Sequence, residues 1–375
     1  MNVRPVLFIL SLFSVAGAAA AEEAPPANEP ALQLPALIGK MAEARALAAP
    51  APVRLSRDGT NAVIAIWDAG ADSAIRLVEL RGCVSRTAGV KVSCRRYTST
   101  SSEYVVTEPA GHLVLAAKTR VCVDYRCRRA QTEVRTPYAE AIHTPEMVAA
   151  GRAYLEDLVA RAAAELDELG TASLAIAGEP VTAAVSERIL AAILIVEHGR
   201  SDRVEKLGIG RVVDEFLVIL AANGNTAFAD TVSRAGARGI AQFIGSSYQL
   251  TRTRYGNARL LPGFHAGAAD HLNAAKAQYC LADWTLTALR PATLADLRLP
   301  LFEEDLGAYV AAAYNGGERR AARAYHNRPR SWESLGRGLY PETVNYVRFF
   351  RLVYRQLWSA TGTSQAAPDE RSFDP

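Results

Sequence analysis

Glu197 follows directly on eight uninterrupted apolar residues, Ile189–Val196. A run that is apolar on every side reads as a helix buried all round rather than along one stripe. Ile193, Leu194 and Leu190 lie one and two turns behind the glutamate, and Gly199 stops the helix just beyond it. A carboxyl projecting from such a surface is partly desolvated. That penalises its charged form and raises its pKa toward the range a general acid needs near neutral pH. The bland alternative is a glutamate that reaches solvent past the helix end. His198, the next titratable group, reads either as a second acid/base or as a polar rim residue facing the helix C-terminal dipole.

Two further clusters suit the binding of polar ligands. Ser233-Arg-Ala-Gly236-Ala-Arg-Gly239-Ile-Ala-Gln242 puts a serine and a Gly-rich turn ahead of a predicted helix. The first turns of that helix would present backbone N–H groups and the Gln242 amide to a ligand. Ala311-Ala-Ala-Tyr314-Asn315-Gly316-Gly317 ends an alanine-rich helix with a hydroxyl and an amide that can reach a cleft. Taken singly, Gln242 reads as a surface amide, Tyr314 as a core tyrosine and Asn315 as a helix cap.

Helical periodicity sets in after Pro145 and predicts helices at Met147–Leu169, Ser186–His198, Ala237–Tyr255, Phe264–Gln278, Asp305–Tyr314, Arg319–His326 and Glu342–Trp358. Between the second and third of these, the β-branched runs Arg211–Leu220 and Thr226–Val232 flank Asn-Gly-Asn, which predicts a β-hairpin over Gly210–Val232. Upstream, short β-type runs at Ala62–Trp67, Ile75–Leu80, Gly89–Tyr97, Tyr104–Val106, Leu113–Ala116 and Arg120–Tyr125 imply a small β-rich domain over residues 51–135. Cys83, Cys94, Cys122 and Cys127 all fall in this segment. Short loop closure favours Cys83–Cys94 with Cys122–Cys127, leaving Cys280 as a buried thiol. Zinc is the rival use of these cysteines, but their spacing lacks a tight paired pattern.

In this order, the blocks resemble the soluble lytic transglycosylase family, which shares its lysozyme-like fold with goose-type lysozymes. Glu197 sits where the family's catalytic glutamate ends its buried helix. Ser233 through Gln242 resembles the serine plus Gly-Leu-Met-Gln block, Ala313-Tyr314-Asn315 matches Ala-Tyr-Asn, and Tyr340-Pro-Glu342-Thr343-Val-Asn-Tyr346-Val347 resembles the closing Glu-Thr segment. The resemblance covers about Val181 to Trp358 and says nothing of the β-rich part. Three departures stand out: His198 where the family has serine, Ile240 and Ala241 where it has Leu and Met, and a longer stretch between Glu197 and Ser233.

The residue pattern reads as an α+β chain with a hairpin inserted in its helical part, and the resemblance implies that residues 181–360 form a mainly α, lysozyme-like catalytic domain. A connecting helix at 146–180 would join it to the β-rich accessory domain. It also implies cleavage of peptidoglycan glycan strands, with Glu197 protonating the glycosidic oxygen and then taking the proton of the muramic 6-hydroxyl. Attack from within the sugar supplies a nucleophile already in place, so a 1,6-anhydro end results and neither a second carboxylate nor a metal or organic cofactor is called for. Ser233, Gln242, Tyr314 and Asn315 would hold the substrate, with Tyr314 also bonding near Glu197. True hydrolysis, with Asp202, Asp214 or Asp230 positioning a water, is the nearest rival. A non-catalytic peptidoglycan-binding envelope protein is the rival from another class.

Met1–Ala21 has the parts of a secretory signal: Arg4, an apolar run Val6–Val15 and the small residues Ala16–Ala21. Export to the periplasm is expected, with no lipid-anchor cysteine after the cleavage region and no apolar stretch near the ~20 residues of a membrane span. Residues 22–50, rich in Pro and Ala, read as a linker and 361–375 as a disordered tail. A formal net charge of +3 with both signs interspersed carries no nucleic-acid signature. For the β-rich domain, docking to an envelope partner and a plain accessory role stand equally open.

Overall fold

The structure, a computed structural model, describes residues 34–53, 61–68, 70–71, 74–96, 102–122 and 128–358. The signal segment, the tail after 360 and the Cys122–Cys127 pairing lie outside the described residues. The chain is a mixed α+β protein, with sheet first and helices after. Strands β1 (Ala62–Asp68), β2 (Arg76–Arg81), β3 (Val84–Ser85), β4 (Lys91–Arg96), β5 (Ser102–Glu108), β6 (His112–Cys122) and β7 (Ala130–Arg135) are all antiparallel to their neighbours. They form a five-stranded sheet in the order β3-β2-β1-β6-β7 and a β4-β5 ribbon. Alternation along β1 sends Ala62, Ile64 and Ile66 to a core shared with Val78, Leu80, Tyr104 and Val106.

Helix α1 (Leu34–Ala48) packs on β1 and β6, burying Met41, Ala44 and Ala48. This overturns the linker reading of residues 22–50 for its second half: once the sheet offers an apolar face, the Leu/Ala/Met spacing there is that of a helix with one buried side. The run-by-run strand expectation also changes. Leu113–Ala116 and the described part of Arg120–Tyr125, up to Cys122, belong to one strand, β6, and β7 went unread because Ala130–Arg135 is mostly polar. The Cys83–Cys94 disulfide is formed, with Cα atoms 5.7 Å apart, and Cys280 is a buried free thiol.

The helical part comprises α2 (Pro145–Glu168), α3 (Glu187–Val196), α4 (Ser201–Asn223), α5 (Gly245–Arg254), α6 (Phe264–Ala269), α7 (His271–Leu286), α8 (Pro291–Leu297), α9 (Glu303–Gly316), α10 (Glu318–Asn327) and α11 (Pro341–Trp358). Every residue of Ile189–Val196 is buried, so α3 is the core of this part, enclosed by α2, α7, α9 and α11. Ser186 caps α3, its hydroxyl accepting from the Ile189 N–H. α4 opens with a short helical piece that breaks at Gly208 (φ +79°) before the main run.

That main run corrects the hairpin expected at Gly210–Val232. Val212, Val213, Phe216, Leu217 and Leu220 are buried at helical spacing, against α2 among others. The crossing is so close that a Cβ on Gly151 of α2 would lie 2.0 Å from the Leu217 carbonyl oxygen. Packing of this kind overrides the β preference of valine and isoleucine. Gly224 (φ +56°) ends the helix, its N–H bonding to the Leu220 carbonyl, where the sequence suggested a hairpin turn.

Candidate active site

Glu197 is the C-cap of α3, with its N–H on the Ile193 carbonyl. Its half-buried carboxyl lies among apolar side chains, and burial pushes its pKa from 4.5 to about 7. The Tyr346 hydroxyl donates to Oε1 at 2.5 Å and pulls the other way, since it favours the ionised form. A carboxyl poised there is protonated in a large fraction of molecules at neutral pH and can serve as an acid.

A cleft of about 360 Å³ opens over Glu197. One side is the end of α3 and the start of α4, with His198, Gly199, Arg200 and Arg203. Another is the inner face of α4 from Val212 to Asn223, and a third is the loop Thr226–Ser233 with Gln242. The fourth comes from the chain leaving β7, residues Arg135 to Tyr138. His198 Nε2 lies 2.8 Å from the Ile240 carbonyl oxygen, and its ring stacks on Phe228 at 4.1 Å. Burial lowers its pKa to about 4, so it is neutral at pH 7. His198 lines the cleft as a packed wall residue.

The Ser233–Gln242 segment is a looped turn, not the start of a helix, and α5 begins only at Gly245. The Ser233 N–H bonds to the Ala237 carbonyl at 2.9 Å, and its hydroxyl accepts from the Ala237 N–H at 3.0 Å. Arg238 and Phe243 exchange backbone bonds at 2.9 and 3.1 Å. Gly239 is required here: its φ is +71°, and a Cβ would lie 1.7 Å from the Ala268 carbonyl oxygen. Gln242 itself has φ +47°, with its amide Nε2 donating to the Gly239 carbonyl at 2.9 Å. The two glycines read as the foot of a helix instead fold this loop against the cleft.

Of the residues singled out in the sequence, the cleft brings together Glu197, Ser233 and Gln242. Tyr314 and Asn315 stand behind it. The Tyr314 hydroxyl donates to the Ala241 carbonyl at 2.5 Å, pinning the loop close enough to Glu197 to feel its charge, and the Glu197 carboxyl itself accepts from Tyr346. Asn315 is exposed, and its Oδ1 accepts from the buried Thr343 hydroxyl at 2.8 Å. Thr343 and Tyr346 are three apart on α11 and so share a face. That spacing was present in the Tyr340–Val347 block, and reading it as a helix face would have brought out Tyr346.

None of the aspartates considered for activating water lines the cleft. Asp202 pairs with Arg200, Asp214 lies 3.9 Å from His143, and Asp230 accepts from Gln131 at 3.1 Å. Among the described residues, the cleft's other carboxylate is Glu215. Both its oxygens accept from the Arg203 guanidinium, at 2.5 and 2.8 Å. No single-sequence pattern marks this pair, because Arg203 and Glu215 meet only across the break at Gly208. Comparison of the chain with protein-family models, with curated proteins and with solved structures finds no match.

Proposed function

We propose that this chain is a peptidoglycan lytic transglycosylase of the exported, periplasmic kind, its helical part a lysozyme-like catalytic domain over about residues 181–360. The observation that carries this reading is a poised acid: Glu197, its pKa pushed to about 7 and its carboxyl hydrogen-bonded by Tyr346, lines the cleft, where among the described residues the other carboxylate, Glu215, is tied to Arg203. Glycosidases that use water or a covalent intermediate usually employ two. The Cys83–Cys94 disulfide supports an oxidising compartment.

In the proposed reaction, protonated Glu197 gives its proton to the oxygen linking N-acetylmuramic acid to N-acetylglucosamine, and the bond from that oxygen to the muramic anomeric carbon breaks. The muramic 6-hydroxyl oxygen bonds to the same carbon and passes its proton to the Glu197 carboxylate, which restores the acid. No water is consumed. Ser233 and Gln242 would face the sugar from the loop, while Tyr314, Asn315 and Thr343 hold that loop and α11 in place. Digestion of purified peptidoglycan followed by mass analysis tests the reading. Anhydromuramic ends, one water lighter than reducing ends, are expected, and predominantly reducing ends would refute it.

A further inference from the structure

A second hollow, of about 590 Å³, lies between the end of α7 and the length of α10, and it shares no lining residue with the cleft over Glu197. Two helical stripes line it. Trp284, Thr287 and Ala288 come from the end of α7 and the turn after it, at spacings of three and four. From α10 come Glu318, Asn327 and, at the repeat of a single helix face, Arg319, Ala322, Arg323 and His326. The small side chains of Ala288 and Ala322 leave room between the stripes. From Glu318 to Asn327 a helix rises about 14 Å, so the hollow is a groove long enough for a few units of an extended polymer.

The polar groups of this groove are available rather than paired. Among the described residues, the Arg323 guanidinium and the Asn327 amide have no hydrogen-bond or ion-pair partner, and neither has the indole N–H of half-buried Trp284. Arg319, its side chain 91% exposed, reaches only Glu318, at 3.9 Å, the outer limit of an ion pair. Glu318 is the one acid among the groove's described lining residues. Arg290 adds charge from beside it: its backbone N–H donates to His326 Nε2 at 3.4 Å, and burial together with the Arg290 charge holds the His326 pKa below the ordinary 6.5. The Arg254 guanidinium stands 5.0 Å from the centroid of the Trp284 ring. Four guanidiniums against one carboxylate give the groove a positive field. A free guanidinium fork matches a carboxylate, and an indole beside unpaired donors suits a sugar ring with its hydroxyl and acetamido groups.

Resting on the glycan-cleaving reading, we propose that the groove between α7 and α10 is a second, non-catalytic binding site for the peptidoglycan strand, with Arg319 and Arg323 taking the carboxylates of its muramic and peptide substituents and Trp284 and Asn327 its sugars. The polymer is acidic along its length and the groove is basic, so their charges are complementary, and a groove rather than a flat face suits a strand. The site holds the enzyme on the polymer between cuts. Cleavage of short fragments, which fill only the cleft, does not depend on it.

The test measures binding of the full chain to purified, insoluble peptidoglycan by sedimentation at low ionic strength, in the Glu197→Gln background so that the polymer stays intact. Arg319→Gln together with Arg323→Gln should weaken binding roughly tenfold, the worth of two exposed charge pairs acting together, and should flatten its dependence on salt. Amidating the polymer's carboxylates should weaken the parent by as much and leave the double variant unaffected. With Glu197 restored, the double variant should cleave a short soluble fragment at the wild-type rate. Both positions are exposed and α10 keeps its buried alanines, so the fold is not at stake. Binding of the double variant equal to that of the parent, or a loss equally large on the amidated polymer, overturns the proposal but leaves the glycan cleft standing. Slowed cleavage of the short fragment by the folded double variant also overturns it, because the groove would then belong to the catalytic path. A wild-type protein that neither binds nor cleaves peptidoglycan removes the glycan reading and this inference together.

Discussion

Replacing Glu197 by glutamine removes the only ionisation at that position and leaves an amide oxygen that can still accept from Tyr346. In the unfolded chain the carboxyl titrates near its ordinary 4.5, and in the folded protein at about 7. Between those values the folded state binds the extra proton. The site's stabilising share is therefore complete below about 4.5 and is lost progressively as pH rises to about 7. Each tenfold in the proton equilibrium is worth about 1.4 kcal/mol, so keeping the ionised carboxyl in its apolar setting costs the folded protein at most about 3 kcal/mol above pH 7. Glu197→Gln does not bear that cost. Denaturant unfolding of both proteins at pH 5 and pH 8 should show the variant gaining about 1–3 kcal/mol on the wild type between the two. Glu133, also raised to about 7, is present in both and cancels. Cleavage of peptidoglycan should meanwhile fall about 10²–10⁴-fold, the usual worth of a general acid. Equal pH dependence in the two proteins would refute the buried-acid argument, and near wild-type cleavage by the folded variant would remove Glu197 from the chemistry.

Other expected outcomes are as direct. Tyr346→Phe removes the bond that favours the ionised carboxyl, so the alkaline limb of the pH–rate profile should move to higher pH; an unmoved limb would detach Tyr346 from Glu197. Glu215→Gln breaks a partly buried pair with Arg203 and should cost about 3–5 kcal/mol of stability, yet the digest should still end in anhydro sugars. Reducing ends in the wild-type digest, together with lost activity in a folded Glu215→Gln protein, would favour hydrolysis. Gly239→Ala forces a side chain into φ +71° and into the Ala268 carbonyl, and should destabilise by about 2–4 kcal/mol with loss of cleavage; a normal melting curve would show that the loop is not held as described. Thiol titration without reductant should leave Cys83 and Cys94 unlabelled and reach Cys280 only on unfolding, and labelling of Cys280 in the native protein would contradict its burial.

What the sequence determined by itself lay within single elements. The unbroken apolar run Ile189–Val196 required a helix buried on every side and put Glu197 at its end, where the carboxyl could lie against that apolar surface or reach solvent past it. The short β-branched apolar run of β1 and the short loop between Cys83 and Cys94 were equally local. Tertiary structure decided what depended on partners far along the chain. Residues 211–220 could satisfy a strand or a helix, and only the close crossing with α2 at Gly151 made helix the better burial. Two tyrosines were each able to reach Glu197. Which one does is set by how α9 and α11 dock on α3, so the hydroxyl at 2.5 Å comes from 149 positions away. The β-rich wall of the cleft is of the same kind. The chain leaving β7 has no distinguishing pattern in the sequence, and it lines the same cleft as the candidate acid where Thr136 and Asn223 satisfy each other's buried polar groups across the seam with α4.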